Sequence, residues 1–272
     1  MMTCYTPGYR ENKINFKTYM GGITPDSVYK SQSQGKSTPG TADENVYLEG
    51  KGFFVKIHRG VGWKEIFKNL FQFKLPVTGA ANEFYALEKL HALNVPTMTA
   101  AAFAERGSNP AAKESFLITE ELVNVISLDE LAQKFPLNGS QRIRLIRALA
   151  DSAGTMHRAG INHRDCYICH YLLDKATLDS AQPVLYVIDL HRAQLRKKVP
   201  YRYHVKDVAG LLFSAWSANL TRQEAWRFLR RYSRESLRRE LSCNGGFWRD
   251  VVRTAAKLYR KENSGKEPPQ IF

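Results

Sequence analysis

The chain has 272 residues, 43% of them hydrophobic, with 14 Phe and 13 Tyr, enough to bury one large core or two lobes and too apolar for a disordered polymer. Lys and Arg total 40 against 26 Asp and Glu, and the resulting +14 asks for an anionic partner such as nucleic acid, a membrane surface or an acidic protein. No apolar run reaches the roughly 20 residues of a bilayer span, and the start, Met1-Met2-Thr3-Cys4-Tyr5, lacks a secretory pattern, so a cytoplasmic location is expected.

Residues 1–45 are rich in Gly, Ser, Thr, Pro and Lys, as in Ser31-Gln32-Ser33-Gln34-Gly35-Lys36, and read as poorly ordered chain or loosely held edge strands. A hairpin follows: Asn45 to Leu48, a turn at Gly50-Lys51-Gly52, then Phe53-Phe54-Val55-Lys56-Ile57. Lys56 thus stands inside an aromatic and β-branched strand. Between Trp63 and Phe71 the residues Trp63, Ile66, Phe67, Leu70 and Phe71 share one helical stripe, which predicts a core-packing face. Because Lys64 and Lys68 border that stripe, a membrane-surface or acyl-chain contact is the alternative.

A second helix is predicted from Ala80 to Leu93. At 100° per residue Glu83 falls within the stripe of Ala80, Ala86, Leu87 and Leu90, so its carboxylate faces inward and needs a partner. Ser115 to Thr119 reads as a strand. A long helix from Ser140 to Arg158 puts Ile143, Ile146, Ala150, Ala153 and His157 on one face and stops at Gly160. Val184 to Ile188 is a buried strand by its β-branched content, with Asp189 at its exit, and the rest is mostly helical and Arg-rich without a repeat.

Two chemistries overlap between His163 and His170. Cys166-Tyr167-Ile168-Cys169-His170 fits the c-type haem attachment pattern, and His163, Cys166, Cys169 and His170 are four candidate zinc ligands. A cytoplasmic address disfavours haem attachment, and so compact a ligand set does not readily close a tetrahedron around zinc. His163-Arg164-Asp165, in contrast, matches the His-Arg-Asp of a protein-kinase catalytic loop. Phosphoryl transfer needs a cation on the donor phosphates, a carboxylate to hold that cation, a carboxylate at the attacking hydroxyl and another on Mg²⁺. Lys56, Glu83, Asp165 and Asp189 occur in that chain order, each on the kind of element its role requires. No zinc-finger spacing, RNA-recognition aromatic pattern or clean recognition helix supports nucleic acid as the partner.

The strings Lys56-Ile57-His58-Arg59-Gly60, Ile161 to His170, and Val187-Ile188-Asp189-Leu190-His191-Arg192-Ala193-Gln194 resemble the lipopolysaccharide core heptose kinases of Gram-negative bacteria, the heptose(I) kinases in particular. The resemblance implies an α+β, protein-kinase-like bilobal fold, with a β-rich N-lobe over residues 46–122 and a mostly helical C-lobe over 123–272. It implies ATP and Mg²⁺ as cofactors and phosphorylation of the first heptose of the inner core at its 4-hydroxyl. It assigns Asp165, with His163 and Arg164, to the catalytic loop, Lys56 and Glu83 to the nucleotide phosphates, Asp189 to Mg²⁺, and Asp207 to bracing the loop. Its partners are the core and lipid A acceptor at the cytoplasmic face of the inner membrane, where a basic surface aids docking, and acyl carrier protein, for which the Trp63–Phe71 helix is the candidate contact.

Departures from the general kinase pattern leave alternatives open. His170 stands where an Asn usually binds a second Mg²⁺, and imidazole is a poor ligand for so hard a cation. His191 replaces a Gly, Phe54 replaces a small residue, and no Gly-rich phosphate loop precedes Lys56, so cover for the phosphates is expected from Ser31 to Gly40. A kinase for the second heptose or Kdo, or an inactive kinase-like module that binds acyl carrier protein or lipid, stands beside the main reading.

Overall fold

A computed structural model describes residues 3–5, 41–48, 50–71 and 79–270. The expectations for the N-terminal segment, including phosphate cover from Ser31 to Gly40, fall mainly outside these residues. The chain divides into two compact units, one of residues 1–88 and 98–122, the other of 89–97 and 123–272.

The first unit is built on an antiparallel five-stranded sheet in the order β1-β4-β5-β3-β2, from β1 (Thr3–Tyr5), β2 (Thr41–Leu48), β3 (Lys51–Arg59), β4 (Ala100–Arg106) and β5 (Glu114–Glu120). The β2–β3 hairpin extends four residues N-terminal of its expected start at Asn45. Val55 and Ile57 alternate inward along β3 and join Ala102, Ala104, Phe116 and Ile118 in one buried cluster. Lys56 points the other way, in register with Asp43 on β2 and Leu117 on β5.

Two helices belong to this part of the chain, α1 (Gly62–Phe71) and α2 (Ala81–Ala92). On α2, Phe84 stacks on Phe103 of β4 at 4.6 Å between ring centroids, and Glu83 is fully buried. The predicted core-packing face of α1 is corrected by its exposure. Ile66 is buried, but Trp63 is 51%, Phe67 52% and Phe71 84% exposed. Periodicity reports that a helix has an apolar side; it does not report what covers that side.

The second unit holds α3 (Leu128–Lys134), α4 (Gly139–Arg158), α5 (Tyr201–Ser217), α6 (Arg222–Ser233) and α7 (Leu237–Glu262). Asn138 and Gln141 close a reciprocal capping box at the start of α4. The buried face of α4 is wider than its predicted stripe: Leu145, Leu149 and Met156 are buried with Ala150, Ala153 and His157, while Ile143 and Ile146 are only partly covered. Short strands are interspersed with the helices: β6 (Val125–Ser127), β8 (Tyr171–Asp174) and β9 (Leu185–Val187) form one antiparallel sheet, and β7 (Ile161–Asn162) pairs with β10 (Gln194–Leu195). That last pairing, Asn162 opposite Gln194, ties the segment entering His163 to the segment leaving Asp189. Among the described residues no helix is long and apolar enough to cross a membrane.

Candidate active site

Residues 163–167 form a loop between β7 and a single 3₁₀ turn at Ile168–His170. The loop is clamped from α5. Asp207, buried in that helix, accepts from the backbone N–H of His163 at 2.6 Å and of Arg164 at 3.0 Å through its two carboxylate oxygens. Arg164 takes a left-handed φ of 74°, a conformation that this two-point clamp holds in place. Gly210, one turn beyond Asp207, allows the approach, since a Cβ there would lie 2.5 Å from the Cys166 carbonyl oxygen. Ser214 completes the support by accepting from Ile168 N–H at 3.0 Å.

The His163 ring is fully buried. Its Nε2–H donates to the Ile188 carbonyl at 2.9 Å, and burial pushes its pKa below the ordinary histidine value, so the ring is neutral. It stacks on His170 with 5.5 Å between centroids and nearly parallel planes. His170 Nδ1 lies 2.7 Å from the Asp165 carbonyl oxygen; a carbonyl only accepts, so this nitrogen carries a proton. Hydrogen bonding with Cys169, opposed by burial and aided by the Asp165 carbonyl and the Asp189 charge, raises the His170 pKa to about 9. At neutral pH the group is therefore an imidazolium, with Nε2 3.5 Å from Asp189 Oδ2.

Asp189 follows β9 in a left-handed conformation, φ 60° and ψ 51°, which a short acidic side chain tolerates better than most. Its Oδ1 accepts from His191 Nδ1 at 2.5 Å. The Asp165 carboxylate is engaged by Arg192 Nη1, at 2.8 Å to Oδ1 and 2.7 Å to Oδ2. In the first unit Lys56 Nζ reaches both oxygens of Glu83, at 2.9 and 3.2 Å, with the lysine side chain 23% exposed and the glutamate fully buried. Asp165, His163, Arg164, Asp189 and His170 thus gather in the second unit, and Lys56 and Glu83 pair in the first.

A sequence profile of the lipopolysaccharide kinase (Kdo/WaaP) family matches residues 25–232. The chain belongs to that family. It is 49% identical over 223 residues to the lipopolysaccharide core heptose(I) kinase WaaP of Pseudomonas aeruginosa, covering 80% of this chain and 83% of the relative. To the heptose(I) kinase WaaP of Escherichia coli K12 it is 44% identical over 199 residues, 72% of this chain and 75% of the relative. A solved structure, WaaP in complex with acyl carrier protein, superposes with a TM-score of 0.75 at 39% identity over 90% of this chain and 97% of that one. The fold of this Kdo/WaaP-family chain is the protein-kinase-like, bilobal α+β architecture, and the chain is a phosphotransferase with an alcohol acceptor, a kinase for which ATP is the implied donor.

The two thiols of the Cys166-x-x-Cys169 string differ in setting. Cys166 is buried and its pKa is pushed far up by burial, so it is a neutral thiol, whereas Cys169 is exposed. Among the described residues no group of three or more His, Cys, Asp and Glu side chains has the arrangement of a metal cage. The hard carboxylate oxygens of Asp189 suit Mg²⁺ shared with a nucleotide, for which the imidazole of His170 is a poorer match. Arg192, three residues beyond Asp189, received no role from the sequence. The signal available was a cation inside a motif string, which alone does not say what it touches.

Proposed function

We propose that this chain transfers the γ-phosphoryl group of ATP to the 4-hydroxyl of the first heptose of the lipopolysaccharide inner core. The observation that carries the reading is the Asp207 clamp on the backbone of His163 and Arg164, which fixes the loop while leaving the Asp165 carboxylate partly open to solvent. The heptose as acceptor comes from the relatives' names.

In this reading the acceptor O–H gives its proton to Asp165 as its oxygen bonds to the γ-phosphorus. The bond to the bridging oxygen breaks and ADP leaves. Lys56, oriented by Glu83, binds donor phosphates, and Asp189 would hold Mg²⁺, which when bound would supply positive charge against the donor phosphates. His170 orients Asp189 through the 3.5 Å approach of Nε2 to Oδ2, and its imidazole is a poor ligand for a second Mg²⁺. The test incubates the purified chain with Mg-ATP and core oligosaccharide lacking phosphate, with the product read by mass spectrometry. One phosphoryl group on the first heptose is expected. Phosphate on the second heptose or Kdo redirects the substrate reading, and no phosphorylated product sinks it.

The chain works, we infer, at the cytoplasmic face of the inner membrane with acyl carrier protein as a partner. Two features of the second unit support an acidic, acylated partner. An apolar cavity of about 560 Å³ lies among α3 to α7, lined by Leu131, Leu145, Leu149, Val208, Leu229 and Trp248, a size and polarity suited to an acyl chain. Arg227 and Arg230 on α6 and Arg234 just after it make no ion pair among the described residues and supply positive charge. This cavity is a better acyl site than the exposed face of α1, because its apolar walls already enclose space. Acyl carrier protein bearing a long acyl chain should be retained by the immobilised chain and the unacylated form weakly. Ala225→Phe, which narrows the cavity, should cut retention several-fold; equal retention of both forms removes the acyl reading.

A further inference from the structure

Between Asp165 and His170 the loop carries Cys166, Tyr167, Ile168 and Cys169, so it brings no cation of its own beyond the aspartate. A phosphoryl group in transfer spreads negative charge over its equatorial oxygens, and stabilisation is greatest from donors already in position. Among the described residues the cation hydrogen-bonded to the Asp165 carboxylate comes instead from beyond Asp189, as Arg192.

Arg192 is held from both sides. It ends the 3₁₀ turn Leu190–Arg192, closed by Ala193 N–H to the Leu190 carbonyl at 2.8 Å, and Leu190 and Ala193 are fully buried. The β7–β10 pairing then registers this turn against the segment that leads into Asp165. Only Nη1 is used for the carboxylate. Nε and Nη2 have no hydrogen-bond partner among the described residues, and the side chain is 35% exposed. The surroundings favour an anion: Arg164 has its pKa lowered by burial first and then by Arg192, with Arg196 adding to the repulsion. Arg164 and Arg192 thus repel each other, with Asp165 as a counter-charge to both.

We infer that Arg192 is a catalytic residue whose Nη1 holds the Asp165 base while its remaining N–H groups bind oxygens of the phosphoryl group in transfer. The guanidinium ties base and phosphate to one rigid cation, and its planar fork suits that double duty where the single ammonium of Lys does not. The Asp165 carboxylate keeps lone pairs for the acceptor hydroxyl, since two oxygens offer about four acceptor sites. The inference rests on the kinase reading above.

The test compares the parent chain with Arg192→Gln, Arg192→Lys and Arg192→Ala in steady-state assays with Mg-ATP and core acceptor. Arg192→Gln should lower kcat on the order of 10³-fold with KM for ATP changed only a few-fold. Arg192→Lys should be slowed about tenfold or more, and it carries the test if the Gln variant does not fold. Added guanidinium should restore part of the rate of Arg192→Ala. The inference is overturned if Arg192→Gln stays within about threefold of the parent, or if KM for ATP rises as much as kcat falls and guanidinium gives Arg192→Ala no rescue, the mark of a structural role. A parent chain inactive on the core overturns the kinase reading itself, which separates the two failures.

Discussion

Asp165→Asn is expected to fold like the parent chain and to turn over on the order of 10³-fold more slowly, the scale of losing a positioned general base. The fold should survive because the loop is held through its backbone. Asp207 binds the N–H groups of His163 and Arg164, and His170 donates to the Asp165 carbonyl, none of which involves the side chain being changed. The altered carboxylate contacts Arg192 and is partly solvated, so its removal costs stability only at the level of a partly exposed ion pair, about 1 kcal/mol or less. An amide cannot take up the acceptor proton, and it leaves the guanidinium without a counter-charge. The measurement pairs initial rates with thermal unfolding: a large loss of kcat at nearly unchanged melting temperature fits the base assignment. Activity within tenfold of the parent contradicts it.

The parts of this site that were legible in the sequence are those where local periodicity fixes direction. Lys56 alternates with Val55 and Ile57, so its strand sets which face it takes, and the angular position of Glu83 among Ala80, Leu87 and Leu90 sets its burial. The clamp by Asp207 was legible only through resemblance, because its partners lie 43 and 44 residues upstream. Arg192 depends on a contact across 27 residues that the β7–β10 pairing brings about, and strands of two residues leave almost no pattern. His170 was visible as an anomaly, but that its Nδ1 is held by a backbone carbonyl and its Nε2 faces Asp189 is a matter of geometry, which composition cannot report. The α1 stripe failed for another reason: a face that seeks a partner and a face that seeks a core have the same spacing. The division between units also leaves no trace within α2, where helical periodicity runs unbroken past Glu88 and Lys89.

The Lys56–Glu83 pair should respond asymmetrically to the loss of either partner. Lys56→Met leaves a fully buried carboxylate with no partner among the described residues, and an unpaired buried charge is costly. Because the lysine side chain is 23% exposed, some water reaches the pair, so the expected destabilisation is about 2–3 kcal/mol, below the range for a dry site. Glu83→Gln keeps an oxygen to accept from Lys56 and leaves an ammonium that can turn to solvent, which limits its cost to about 1 kcal/mol. Replacing both, as Lys56→Met with Glu83→Leu, removes the charge problem and should recover most of the stability lost by the lysine change alone. Hydrogen exchange at β3 and α2 reads these differences locally. All three variants should be poorly active, because each removes or misplaces the ammonium assigned to the donor phosphates. The double variant is the decisive case: restored protection with activity still lost separates the catalytic duty of Lys56 from its part in the fold. Equal opening in Lys56→Met and Glu83→Gln shows instead that the buried charge is not what makes this pair necessary.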